Sequence, residues 1–171
     1  MKDKIFRKIT AFFDYWKTRK FIGFVLLFLL LTYLAQIPTL IIMGLAPDSV
    51  ESLTSPGVKA LQEGNLFYVI ARLVILVPIF ETFFLQYLPI ILINKFSKNK
   101  YLQVAISAIL FGLSHPYSVV YIIFATFVGV VFATGFILRK ESRTTGEAFW
   151  ATALTHGLAN MVSVLAIFTD L

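Results

Sequence analysis

The chain has 171 residues, enough for one domain. It is 58% hydrophobic and only 14% charged, with a mean hydropathy of +0.85, whereas soluble chains carry ~25% charged residues. That composition excludes a soluble enzyme, a nucleic-acid binder and a disordered chain, and it predicts an all-α polytopic membrane bundle. The net charge of +6 does not imply a nucleic-acid partner, because the basic residues sit at the ends of apolar segments, where lipid headgroups and topology account for them. There is no cysteine, so disulfides, thiolate metal sites and a Cys nucleophile are ruled out.

Residues 1–20 form the first element. Ile5, Phe6, Ile9, Phe12, Phe13 and Trp16 recur at helical spacing among lysines, which predicts a basic amphipathic helix lying on the inner leaflet. Residues 21–171 then read as a helical bundle of about five spans: Phe21–Leu45, Leu66–Ile93, Tyr101–Ser114, Pro116–Leu138 and Ala148–Phe168. The first span is too long for a signal-peptide core, so it is expected to stay as an anchor, kinked at Pro38. Ala46–Asn65, punctuated by Pro and Gly, is the only sizeable loop.

The loops set a topology. Lys2, Lys4, Arg7, Lys8, Lys17, Arg19 and Lys20 precede the first span; Lys95, Lys98 and Lys100 follow the second; Arg139, Lys140 and Arg143 follow the fourth. The other connections hold only Lys59. Thirteen basic residues against one place the N-terminus in the cytoplasm.

Ionisable residues inside a membrane are costly and usually functional. The spans contain Arg72, Glu81, His115 and His156, with Gln86 and Asn160 as buried amides. At about 1.5 Å per residue, Glu81 lies ~21 Å from Lys95, His115 ~22 Å from Lys100, and His156 and Asn160 ~14 and ~20 Å from Glu147. Three helices thus bring polar groups to one level, as a single intramembrane site requires. Thr152, His156, Asn160 and Ser163 form one polar stripe, Phe111 shares a face with His115, and Gly129 and Ala133 offer a small-residue face for close packing. Arg72 is near the outer boundary and about half a turn out of phase with Glu81, so it is expected to snorkel outward. Glu81 has no basic partner on its own helix, and an isolated carboxyl at mid-membrane is poised for proton transfer.

The segments Pro78–Gln86 (P-I-F-E-T-F-F-L-Q), Phe111–His115 (F-G-L-S-H) and His156–Asn160 (H-G-L-A-N) resemble, in order and spacing, the motifs of the CPBP family. These are the CAAX-protease (Abi) and bacteriocin-processing intramembrane proteins, whose pattern is E-E-x-x-x-R, F-x-x-x-H and H-x-x-x-N. The resemblance covers about Pro78–Val164 and a core bundle of about 66–168. It implies an intramembrane endopeptidase in which Glu81, helped by His115, activates a water, and His156 and Asn160 stabilise the oxyanion. Phe111 would shape the pocket. The chain departs from the pattern at Thr82 and Gln86, where the family has Glu and Arg. A neutral hydroxyl–amide pair is expected there in place of an ion pair, leaving Glu81 as the working carboxylate. A metal-independent mechanism is favoured, and zinc held by His115 and His156 with Glu81 as base is the alternative.

The reading is therefore a multi-pass protein of the bacterial cytoplasmic membrane. Its partners are the lipid bilayer and a substrate that is a peptide, a bacteriocin leader or a membrane-protein segment. The competing reading is a non-catalytic scaffold or bacteriocin-immunity protein that keeps the fold.

Overall fold

In the computed structural model, residues 2–45 and 66–168 are described, and their regular structure is all helical. The helices are α1 (Lys2–Lys17), α2 (Phe21–Leu34), α3 (Ile37–Leu45), α4 (residues 66–96), α5 (Lys100–Leu113), α6 (Val119–Ser142) and α7 (Thr145–Phe168). The predicted Ala46–Asn65 loop lies outside the described residues.

The first apolar span is interrupted just ahead of Pro38. Gln36 turns its N–H to Tyr33 three residues back, closing a tight turn between α2 and α3. Pro38 cannot donate to the carbonyl four residues before it, which is the physical source of the expected kink. Three helices, Phe21–Ile41, Phe67–Phe96 and Val119–Ser142, are long and apolar enough to cross a membrane. Lys100–Leu113 is apolar but shorter. The fifth predicted span, α7, has 24 residues but is not among the three most apolar, because its interior face carries Thr152, Thr155 and His156.

The bundle is closed by small residues. A methyl group on Gly129 of α6 would lie 3.0 Å from Ala108 Cα and Phe111 Cβ of α5, so this position admits only glycine at the observed separation. Ala133, one turn on, is fully buried. Phe24, Val25, Leu27 and Phe28 of α2 pack with Ala151 of α7, and Phe13 and Trp16 of α1 lie against that cluster. Ile5, Ile9 and Phe12 stay exposed on α1.

Arg139 fastens the lysine-rich end of the bundle. Sequence reading groups it with headgroup-facing cations, but it is only 1% exposed. One guanidinium nitrogen, Nη1, donates to the carbonyls of Lys17 and Arg19 at 3.1 and 2.7 Å, and Nη2 pairs with Glu147 at the start of α7. The same guanidinium lies over the Phe24 ring, 5.0 Å from its centroid. Ser142 adds a hydrogen bond to Lys17 O at 2.6 Å. The burial follows from geometry: the α1–α2 turn ends with carbonyls that no helix satisfies, and a planar five-donor fork can serve several of them at once.

Arg139→Gln is expected to lower the thermal midpoint in detergent. Each charged hydrogen bond lost is worth about 1.5–3 kcal/mol, and limited trypsinolysis should reveal faster cleavage between Lys17 and Lys20. Unchanged cleavage would show that α1 is held by its aromatic packing alone.

Candidate active site

Helix α4 is the element that shapes the site. It alternates between α-helical turns (Leu66–Ile70, Val77–Glu81, Leu88–Phe96) and π-helical ones (Ala71–Leu76, Thr82–Tyr87). Pro78 and Pro89 each follow a π segment. Val77 sends its N–H five residues back to Arg72, and Leu88 does the same to Phe83. Because Pro78 has no N–H, the carbonyl of Leu73 receives neither a four-back nor a five-back helical donor. Asn160 of α7 fills that role, its Nδ2 donating to Leu73 O at 2.8 Å. At the second proline, Leu85 loses its four-back donor, and the Ser107 hydroxyl of α5 donates to Leu85 O at 2.5 Å. Gly157 lets α7 come this close, since a methyl group there would lie 2.5 Å from Val74 O.

Glu81 ends the α-helical turn between the two π segments. Its two oxygens diverge to two helices: Oε1 lies 3.7 Å from His115 Nε2, just beyond the end of α5, and Oε2 lies 3.7 Å from His156 Nε2 of α7. Both distances exceed a hydrogen bond. His115 Nδ1 lies 2.8 Å from Phe111 O and 3.0 Å from Ser114 Oγ. A carbonyl only accepts, so Nδ1 carries the hydrogen, and in the neutral ring Nε2 presents its lone pair to Glu81. His156 Nδ1 has no hydrogen-bond partner among the described residues, so its tautomer is not held by the protein.

Phe111 wedges between the histidines, with centroids 4.9 Å from His115 and 5.6 Å from His156. Phe132 of α6 lies on the other side of His156 at 4.8 Å. Tyr121 stacks on His115 at 5.8 Å, and Tyr117 meets the same ring edge-on at 6.0 Å. Sequence reading named Phe111 and missed Phe132, Tyr117 and Tyr121. The spacing H-P-Y-S-V-V-Y places both tyrosines beside the turn after His115, which is the signal that was there to use. Arg72 is exposed on α4, away from this cluster.

Thr82 and Gln86 both face the bundle interior and are 0% exposed. The expected hydroxyl–amide bond is not made. Thr82 Oγ1 and both polar atoms of the Gln86 amide are unpaired among the described residues, and the widened π turn separates the two residues. Such unpaired buried groups cost stability, and here they lie within about a turn of Glu81.

Glu81, His115 and His156 have the composition of a His₂Glu zinc site. Their donor atoms do not converge as such a site requires: each histidine approaches a different carboxylate oxygen, and no group of three or more His, Cys, Asp or Glu among the described residues is placed to hold a metal ion.

Asn160→Leu is expected to strand the Leu73 carbonyl and cost about 1–3 kcal/mol, read as a lower thermal midpoint. Asn160→Asp, which keeps the shape but removes the donor, should fall as far. Full stability in either variant would place that carbonyl in another partner's care.

Residues 63–162 match the family model described as type II CAAX prenyl endopeptidase Rce1-like, more than half of the chain. No curated protein and no solved structure matches the chain.

Proposed function

The chain belongs to the Rce1-like family of type II CAAX prenyl endopeptidases, and from that premise we propose an intramembrane endopeptidase whose base is Glu81. One observation carries the reading: a single carboxylate presents a separate oxygen, each at 3.7 Å, to histidines from two other helices. A water between Glu81 and His115 gives one hydrogen to the carboxylate and the other to the bare His115 Nε2. Its oxygen then attacks the scissile carbonyl, and the proton held by Glu81 passes to the departing amine. His156, donating from Nε2, faces the developing oxyanion. Asn160 keeps a second amide hydrogen beyond the one given to Leu73 and supports the same charge. Tyr117 and Tyr121 line the approach to His115.

No step requires a metal. The substrate is a peptide or membrane-protein segment delivered within the bilayer, and the protein is a multi-pass component of the bacterial cytoplasmic membrane with its N-terminus inside. A second reading, a scaffold or bacteriocin-immunity protein without catalysis, draws on the unpaired Thr82 and Gln86 where the family's charged pair would stand.

The test is to incubate purified wild type and Glu81→Gln in nanodiscs with an apolar and prenylated peptide mixture, reading new termini by mass spectrometry. Glu81→Gln should lose at least about a hundredfold in rate. Silence from folded wild type would favour the scaffold. In the same assay, 1,10-phenanthroline should leave the wild-type rate unchanged, and loss of activity restored by added zinc would instead assign the base role of Glu81 to a metal-assisted mechanism.

A further inference from the structure

At the lysine-rich end of the bundle, away from Glu81, the last turns of α4 and α6 and the first turn of α5 enclose a cavity of about 160 Å³. Its walls carry Asn94, Lys98, Lys100, Gln103, Lys140 and Glu141. The volume is that of about five waters, too large for a packing defect and large enough for a phosphate with its ester substituents.

The charges around it do not balance. Three ammonium groups face one carboxylate, and Glu141 is already engaged by Lys100 at 2.6 Å. Lys98 spends one of its three hydrogens on the Asn94 carbonyl at 2.6 Å. Lys140, half-buried, has no hydrogen bond or ion pair among the described residues. Two ammonium groups therefore converge without an anion between them.

The wall is preformed. Gln103 is only 3% exposed, and its amide nitrogen donates to Ser97 O at 3.0 Å and Asn94 Oδ1 at 3.3 Å. Those bonds hold the short α4–α5 connection in place. Asn99 caps α5 by accepting from the N–H groups of Tyr101 and Leu102, so the positive end of a 14-residue helix adds to the lysines. Phe96 and Tyr101, 90% and 77% exposed, flank this end of the helices, and exposed aromatics at the ends of apolar helices mark the headgroup level of a bilayer.

We propose that this cavity is a binding site for a phosphate group, the chemistry shared by an anionic phospholipid headgroup and free phosphate, with Lys98 and Lys140 as its ligands. A headgroup bound here would tie α4, α5 and α6 together at the membrane surface. The site is independent of the proteolytic reading.

The test follows the thermal midpoint of the full chain in dodecyl maltoside at constant ionic strength. Phosphatidylglycerol, phosphatidylcholine and sodium phosphate are titrated into wild type, Lys98→Gln/Lys140→Gln, and a control with the same charge loss outside the cavity, Lys20→Gln/Lys95→Gln. Phosphatidylglycerol should stabilise the wild type more than phosphatidylcholine. Its apparent affinity should fall about fivefold for each cavity lysine removed and stay within twofold in the control. A lysine-dependent shift with sodium phosphate alone would keep the site and assign it to free phosphate. The proposal is overturned if neither phosphatidylglycerol nor phosphate shifts the wild type, if phosphatidylglycerol and phosphatidylcholine act alike, or if the control loses as much as the cavity variant. Circular dichroism confirms folding, and if the double variant does not fold, Lys140→Gln alone decides on the same criteria.

Discussion

In a bilayer a backbone carbonyl that loses its helical donor cannot turn to water, so another part of the protein must supply one. Pro78 and Pro89 impose that condition twice on α4, and the neighbouring helices are arranged around it. Asn160 reaches in from α7 and Ser107 from α5. Gly157 removes the side chain that would keep α7 away from Val74. The Glu81 turn is consequently held on both sides by cross-links that terminate on the backbone of its own helix, and its carboxylate is delivered between His115 and His156 without any charge pairing to orient it. Asn160 thus joins the catalytic level to the scaffold.

At the opposite end Arg139 does a related job with different chemistry. There the orphaned carbonyls belong to the α1–α2 turn, and one guanidinium collects two of them together with Glu147. Removing a buried cation of this kind leaves its partners unpaired, which is why such groups are costly to mutate even when the ion pair itself adds little net stability. The bundle is therefore pinned at two levels, in each case by a long polar side chain serving main-chain oxygens that the helices cannot satisfy.

Much of the architecture was legible in the sequence because apolar length and lysine placement are one-dimensional signals. The predicted spans agree with α2–α7 to within a few residues at most ends, and counting residues from the basic ends brought Glu81, His115 and His156 to one level. What was not legible depended on departures from a regular helix or on partners distant in the chain. A period of 3.6 residues cannot disclose π turns, so the expected Thr82–Gln86 bond was drawn on a face that α4 widens. Arg139 looked like its neighbours Lys140 and Arg143 because only the fold shows that the α1–α2 turn passes beside it. With eighteen Phe in the chain, the aromatic neighbours of the histidines offered no contrast against the lipid-facing ones, and Phe132 was lost among them.

The two π segments also bear on how this chain tolerates changes in length. A π turn holds one more residue than the α turn it replaces, and each residue of an α-helix advances the face by about 100°. Deleting one residue within Thr82–Tyr87 could restore regular hydrogen bonding locally, yet it would rotate everything beyond it, carrying the buried Pro89 and Ile90 off the core and Leu85 O away from Ser107. An insertion there would do the same in the opposite sense. The stretch between Glu81 and Pro89 is thus fixed in length as well as in composition, and natural variation in this helix should run to substitutions, with gaps confined to its ends.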